Sequence, residues 1–261
     1  MSSKKEILEW YVTAGVTETI GEHPLNRLNM PEEKVLLKKV LTEPPVLPKP
    51  EPVVPDNLLE GAIELAKCAQ TLDELRQAVM DFNGCALKKT AKNTVFGEGP
   101  QDAPVMFVGE APGADEDRLG RPFVGVSGQL LDKIMASVGL DRKKNAYISN
   151  IIPWRPPGNR NPSSSEISLC MPFIERHIEL LRPKILIMIG GVSMSSLLGQ
   201  PSGIMKMRGN WTTYQTAGMD SPIPAMAILH TAFLLRNPIQ KRLAWKDILA
   251  IRQKMDELGI D

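Results

Sequence analysis

Val105-Met106-Phe107-Val108-Gly109-Glu110-Ala111-Pro112-Gly113, residues 105–113, is an apolar run that breaks into a glycine-punctuated acidic turn. An apolar run without polar alternation suits a strand buried on both faces, as parallel sheets require. Three further runs share this character, at 147–152, 185–189 and 225–229. Helical periods separate them at 127–138, 163–181 and 191–198, and a last one covers 238–258. Ser163 with Glu166 three residues later opens one of these as a capping box, and Asn237-Pro238 opens the last. Strands alternating with helices predict an α/β fold whose parallel sheet is covered on both faces. Ligands of such sheets bind beyond the carboxyl ends of the strands. That rule points to the loops after Val108, Ile152, Ile189 and Leu229.

Upstream of this core, helices are predicted near 58–69 and 72–82. Thr71-x-x-Glu74 opens the second and Asn83-Gly84 closes it. Short amphipathic helices are predicted at 4–14 and 31–41, followed by a spacer carrying Pro44, Pro45, Pro48, Pro50, Pro52 and Pro55. So many prolines favour extended chain over packed helix or strand. The expected organisation is an N-terminal extension with linker over 1–57 and one domain over 58–261.

Of the 261 residues, 43% are hydrophobic and 23% charged, enough for a real core. A net charge of +1 is far from the basic excess of proteins that coat DNA, yet leaves room for a local basic patch. The three cysteines, Cys68, Cys85 and Cys170, make no disulfide framework. No apolar run reaches about 18 residues, so no membrane span is expected. No secretory leader is visible, and a cytoplasmic monomer is the expectation.

Three of the four loops carry unusual chemistry. The first continues to Asp115-Glu116-Asp117 and then Gly120-Arg121-Pro122-Phe123-Val124-Gly125. Its four acids within 110–117 repel one another unless a cation, or a cationic intermediate, relieves them. A solvated acidic turn is the plainer reading, and no His or Cys accompanies the acids as metal sites usually require. The second loop is Asn150-Ile151-Ile152-Pro153-Trp154-Arg155-Pro156-Pro157-Gly158-Asn159-Arg160-Asn161-Pro162. Asn150 ends an apolar strand, where a buried amide either serves structure or reads donor and acceptor on a base edge. Arg155 and Arg160 on a stiff loop suit phosphate contact. The third is His230-Thr231-Ala232-Phe233-Leu234-Leu235-Arg236-Asn237-Pro238. Apolar side chains flanked by Arg236, Lys241 and Arg242 suit a wedge that enters a base stack.

Together these motifs resemble family-four, thermophile-type uracil-DNA glycosylases. The resemblance rests on G-E-A-P-G-x-x-E-D and G-R-P-F-V-G within 109–125, on N-I-I-P-W-R-P-P-G-N-R-N-P at 150–162, and on H-T-A-F-L-L-R-N-P at 230–238. Val95-Phe96-Gly97-Glu98-Gly99 is similar to the family's entry into its sheet, and the likeness covers about 70–258. It implies a three-layer α/β/α sandwich around a four-stranded parallel sheet. It also implies flipping of uracil out of single- or double-stranded DNA and hydrolysis of its N-glycosidic bond. By motif, Glu110, Glu116 and His230 are the catalytic residues, and Gly109, Ala111, Phe123 and Asn150 bind uracil. Arg155, Arg160, Leu234, Leu235 and Arg236 contact DNA, with Leu234 the intercalating wedge.

Two departures stand out. The family holds a 4Fe-4S cluster through four cysteines, and here only Cys85 and Cys170 fit those positions. Phe82 and Trp154 stand at the other two. A cubane needs four ligands, so loss of the cluster and aromatic packing in its place are expected, with no cofactor and no metal. Thr231 and Ala232 follow His230 where the family favours proline and often serine, which weakens the expected grip on phosphate. The competing reading is a uracil- or abasic-site binding protein with little turnover. A nucleotide-binding α/β enzyme is disfavoured because no P-loop lysine pattern follows a strand.

Overall fold

The computed structural model describes residues 56–200 and 202–260. The helices expected at 4–14 and 31–41, and the proline-rich spacer up to Pro55, lie outside the described residues.

The first helix among the described residues, α1 (Asp56–Cys68), starts two residues before its expected position. Helix α2 (Leu72–Asp81) is capped by Thr71, whose hydroxyl accepts from the Glu74 N–H, as its sequence predicts. The core alternates thereafter. Strand β1 (Val105–Gly109) leads to α3 (Ala114–Leu119) and α4 (Val126–Ala136). Strand β2 (Ala146–Asn150) leads to α5 (Ser164–Leu181), which opens with the Ser163–Glu166 capping box. Then come β3 (Ile185–Ile189), α6 (Gly191–Leu198), α7 (Ile204–Met207), β4 (Trp211–Tyr214) and β5 (Ile223–Ile228). Helices α8 (Thr231–Arg236) and α9 (Lys241–Glu257) close the chain.

The strands form one sheet in the order β2-β1-β3-β5-β4. The four expected strands are all present and mutually parallel. The sheet is larger than expected by one strand, because β4 pairs antiparallel with β5 at the edge. Trp211-Thr212-Thr213-Tyr214 is only four residues long and only Tyr214 in it is buried, so it lacks the apolar run that marks its neighbours.

Successive side chains of a strand point to opposite faces, and this alternation builds two cores. Met106, Val108, Tyr147, Leu186, Met188, Ala225 and Ala227 face one layer with α1, α2, α5 and α6. Val105, Phe107, Ile148, Ile185, Ile187, Met226 and Ile228 face the other with α4 and α9. The result is the α/β/α sandwich. His177 lies wholly inside the first layer, stacked on Phe96 at 4.3 Å and hydrogen-bonded to the Tyr147 hydroxyl at 3.0 Å. Burial, with Arg76 nearby, lowers its pKa to about 3, so it is a neutral core residue.

Chain order reverses around β1, with β2 on one side and β3 on the other. A crevice opens beyond the strand ends at such a point. Gly109, the last residue of β1, lies directly beside Asn150, the last residue of β2.

Candidate functional site

A cavity of about 510 Å³ occupies this crevice. Glu110, Ala111, Glu116, Phe123, Asn150, Arg160, His230 and Arg236 all line it, so residues from three distant motifs share one space. Gly109 forms the seam between them. A Cβ there would sit 2.4 Å from Asn150 Oδ1 and 2.6 Å from the Phe123 ring, so only glycine lets amide and ring close over this strand end.

Asn150 is 4% exposed, and neither Oδ1 nor Nδ2 has a hydrogen-bond partner. Leaving a buried polar atom unmade costs about 1–3 kcal/mol. An amide that keeps both functions open toward a cavity is set to receive a donor and an acceptor from outside.

The four acids resolve into different tasks. Asp117 accepts the backbone N–H groups of Lys92 and Asn93 at 2.8 and 3.1 Å. Asp115 pairs with Arg118 at 3.0 Å. Glu116 accepts the N–H of Gly113 at 3.1 Å on one oxygen and those of Val124 and Gly125 at 2.9 and 2.8 Å on the other. Both of its oxygens are committed, so that Glu116, while lining the cavity, ties the acidic turn to the loop that carries Phe123. Glu110 alone remains. Among the described residues nothing hydrogen-bonds or pairs with its carboxylate, and burial raises its pKa. A desolvated carboxylate facing a cavity is strongly attracted to any positive charge formed there.

His230 caps α8, its Nδ1 accepting from the Ala232 N–H at 3.1 Å. That bond requires Nδ1 to be unprotonated, so the neutral ring carries its proton on Nε2. Burial first, and Arg236 second, lower its pKa against an opposing pull from Glu116. The histidine is thus a neutral N–H donor at pH 7. Its ring lies 5.9 Å from that of Phe123, tilted by 33°. Phe123 itself has φ +51°, a left-handed conformation that costs a non-glycine residue about 1–3 kcal/mol.

The expected DNA-contacting residues divide. Leu234, the expected wedge, is 1% exposed in the free protein, whereas its neighbour Leu235 is 38% exposed. Thr231 and Leu234 share the inner face of α8 at an i, i+3 spacing, which turns Leu235 outward. Arg160 lines the cavity while paired with Glu166 at 2.6 Å. Arg155 donates to Asn159 at 2.7 Å and does not line the cavity. Gly190, Gly191 and Ser127 also line it and were not anticipated. The glycine pair directly after β3 was the available signal, since that loop leaves the sheet on the same side as the other three.

On the opposite layer, Cys85, Cys170, Phe82 and Trp154 are all buried in one apolar cluster. The Cys170 thiol is hydrogen-bonded to Cys85, and that contact with burial pushes its pKa well up. Phe82 packs on Phe173 with ring centroids 5.1 Å apart, and Trp154 Nε1 donates to Thr94 Oγ1 at 3.1 Å. Two thiols and two packed rings do not match the four-thiolate donor set of a 4Fe-4S cluster. Among the described residues no group of three or more His, Cys, Asp or Glu could hold a metal ion.

Comparison with known proteins agrees with this architecture. Residues 96–249 match the Uracil DNA glycosylase superfamily. A type-4 uracil-DNA glycosylase of Saccharolobus solfataricus is 37% identical over 194 residues, covering 72% of this chain and 88% of the relative. Those of Sulfurisphaera tokodaii and Archaeoglobus fulgidus are 36% and 35% identical, covering 70% and 65% of this chain and 84% and 85% of the relatives. The chain belongs to the type-4 uracil-DNA glycosylases.

Proposed function

We propose that this protein removes uracil from DNA by hydrolysing the N-glycosidic bond, leaving an abasic site. The observation that carries the reading is the Asn150 amide, buried, without partners and lining the same cavity as Phe123 and Glu110. Uracil presents a carbonyl and an N–H side by side, which suit the Nδ2 donor and the Oδ1 acceptor of one amide. Cytosine presents a different edge, and a site built to hydrogen-bond one pattern rejects the other strongly.

The target must leave the base stack to reach this cavity. Leu235, exposed and next to Arg236, is the side chain proposed to fill the vacated space in duplex substrates, and single strands need no such wedge. The flipped ring would stack on Phe123. As the C1′–N1 bond breaks, its electron pair moves onto the departing base and positive charge develops on the sugar. Glu110 would stabilise that charge and orient the water that attacks C1′, taking the proton that water gives up, and the departing uracil anion is protonated from solvent after release. The Nε2–H of His230 would donate to the uracil carbonyl oxygen as it becomes anionic. A neutral donor suits this role, because it stabilises the anion without needing to be charged inside a buried site. Arg155 and Arg160 are proposed to meet phosphates, Arg160 by exchanging Glu166 for a phosphate oxygen.

We further propose that no iron–sulfur cluster is present. The buried rings of Phe82 and Trp154, together with only two thiols, support this. Every group named for catalysis lies in one chain, in keeping with a monomer. No helix among the described residues is long and apolar enough to cross a membrane, and the free cysteines suit a reducing compartment such as the cytoplasm.

The test is incubation with a uracil-containing oligonucleotide followed by alkali. Strand cleavage at the uracil is expected. Tight binding without cleavage would overturn the hydrolase and favour a uracil- or abasic-site binder. An iron content of about four per chain after anaerobic purification would overturn the loss of the cluster.

A further inference from the structure

Phe123 holds an unfavourable backbone conformation at the place where a stacking ring is needed, so something must hold it there. The responsible group lies outside every motif discussed above. Arg142, on the connection between α4 and β2, is 8% exposed, and all five of its N–H donors are used. Its two terminal nitrogens donate to the carbonyl oxygens of Pro122 and Phe123 at 2.9 and 2.8 Å. The remaining donors meet Asp132 Oδ1 at 2.9 and 2.7 Å and Glu98 Oε2 at 3.1 Å. Glu98 is in turn held by Arg121, one residue before Pro122.

The loop is gripped from its other side as well. Glu116 accepts the N–H groups of Val124 and Gly125, the two residues after Phe123. Carbonyls before the bend are thus bound by a cation and amides after it by an anion. Gly128 completes the seat: a Cβ there would lie 1.9 Å from the Phe123 carbonyl oxygen, so α4 can press on this backbone only through glycine.

We infer that Arg142 is a positioning residue for uracil recognition, acting with Glu116 to hold the Phe123 ring in its base-stacking orientation before substrate arrives. This inference rests on the assignment of Phe123 as the stacking ring. Pre-organisation of this kind lowers the cost of binding the flipped base. A planar fork is required because two carbonyls must be met at once, which a lysine ammonium does in a different geometry.

The experiment measures kcat/KM on a uracil-containing oligonucleotide, and inhibition by free uracil, for the full-length chain and for Arg142→Gln, Arg142→Lys, Phe123→Ala and the double variant Arg142→Gln/Phe123→Ala. Arg142→Gln is expected to weaken uracil inhibition about tenfold, with a smaller loss in Arg142→Lys, and to have little further effect once Phe123 is alanine. A purely structural role would lower the fraction of active molecules and leave the uracil inhibition constant of the remainder unchanged, which overturns the inference. Fully additive losses in the double variant would overturn it too. Should Arg142→Gln fail to fold, Arg142→Lys carries the same comparison, and an unchanged inhibition constant there has the same meaning. Failure of the underlying reading looks different: Phe123→Ala itself would leave uracil inhibition intact.

Discussion

Two sites in this protein descend from motifs of one family, and they have been treated in opposite ways. The cavity at the strand ends keeps polar atoms unsatisfied, with the Asn150 amide unpartnered and the Glu110 carboxylate desolvated. The region around Cys85 and Cys170 is filled, with Phe82 and Trp154 buried in a continuous apolar cluster. Unmet polar groups raise the energy of the free protein and are retained only where a ligand completes them. Buried rings need no ligand and stabilise the fold by the area they bury and the contacts they make with their neighbours. A ligand site is thus marked by what it leaves unfinished, and a structural region by how completely it is packed.

That contrast can be broken most severely at Glu110. Glu110→Gln is expected to slow cleavage about 10³-fold while leaving binding of uracil-containing DNA within a few-fold. Only the ionised carboxylate stabilises a cationic sugar, so wild-type cleavage rises with pH through the Glu110 pKa. Burial places that acid limb above the ordinary glutamate value of about 4.3. The limb should vanish in Glu110→Gln, and a single-turnover rate profile from pH 4 upward checks it. Equal losses of binding and cleavage would remove the chemical role.

On the packed side, Trp154→Ala should cost about 3–5 kcal/mol of stability by denaturant titration, with the cleavage rate per folded molecule preserved. A rate loss without a stability loss would mean that this region serves catalysis.

Asn150→Ala sharpens the comparison because it separates function from stability. Cleavage should fall about 100-fold while the melting temperature holds or rises, since two unpartnered polar atoms leave the interior. A clear drop in melting temperature would show that the amide is already satisfied in the free protein.

The smallest effect is expected on α8. Leu235→Ala should lower duplex cleavage about tenfold and single-strand cleavage much less, because only the duplex needs its vacated stack filled. Leu234→Ala should instead destabilise the fold by about 2–5 kcal/mol. Reversal of these outcomes would return the wedge to Leu234.

Much of this was readable without a structure. The four parallel strands announced themselves because burial on both faces demands unbroken apolar runs. The motif loops fell at strand ends for the same topological reason, so Glu110, Phe123, Asn150 and His230 could be named together. The edge strand Trp211–Tyr214 gave no such signal, being short and paired on one side only. Gly190 and Gly191 went unnoticed because a glycine pair carries no side-chain chemistry.

What the linear order of residues determined, then, was which groups are present and which loops carry them, because strand burial and helix caps are local and periodic. Tertiary structure decided which way each group faces and what it already holds. Leu234 and Leu235 are chemically identical neighbours, and only the packing of α8 against α4 sends one inward and the other out. Glu110 and Glu116 are both acids of one turn, yet backbone N–H groups from residues 113, 124 and 125 occupy the oxygens of the second, and the carboxylate of the first has no such partner among the described residues. Hydrogen bonds and packing between residues far apart in the chain are non-local, so no reading of local pattern could assign them.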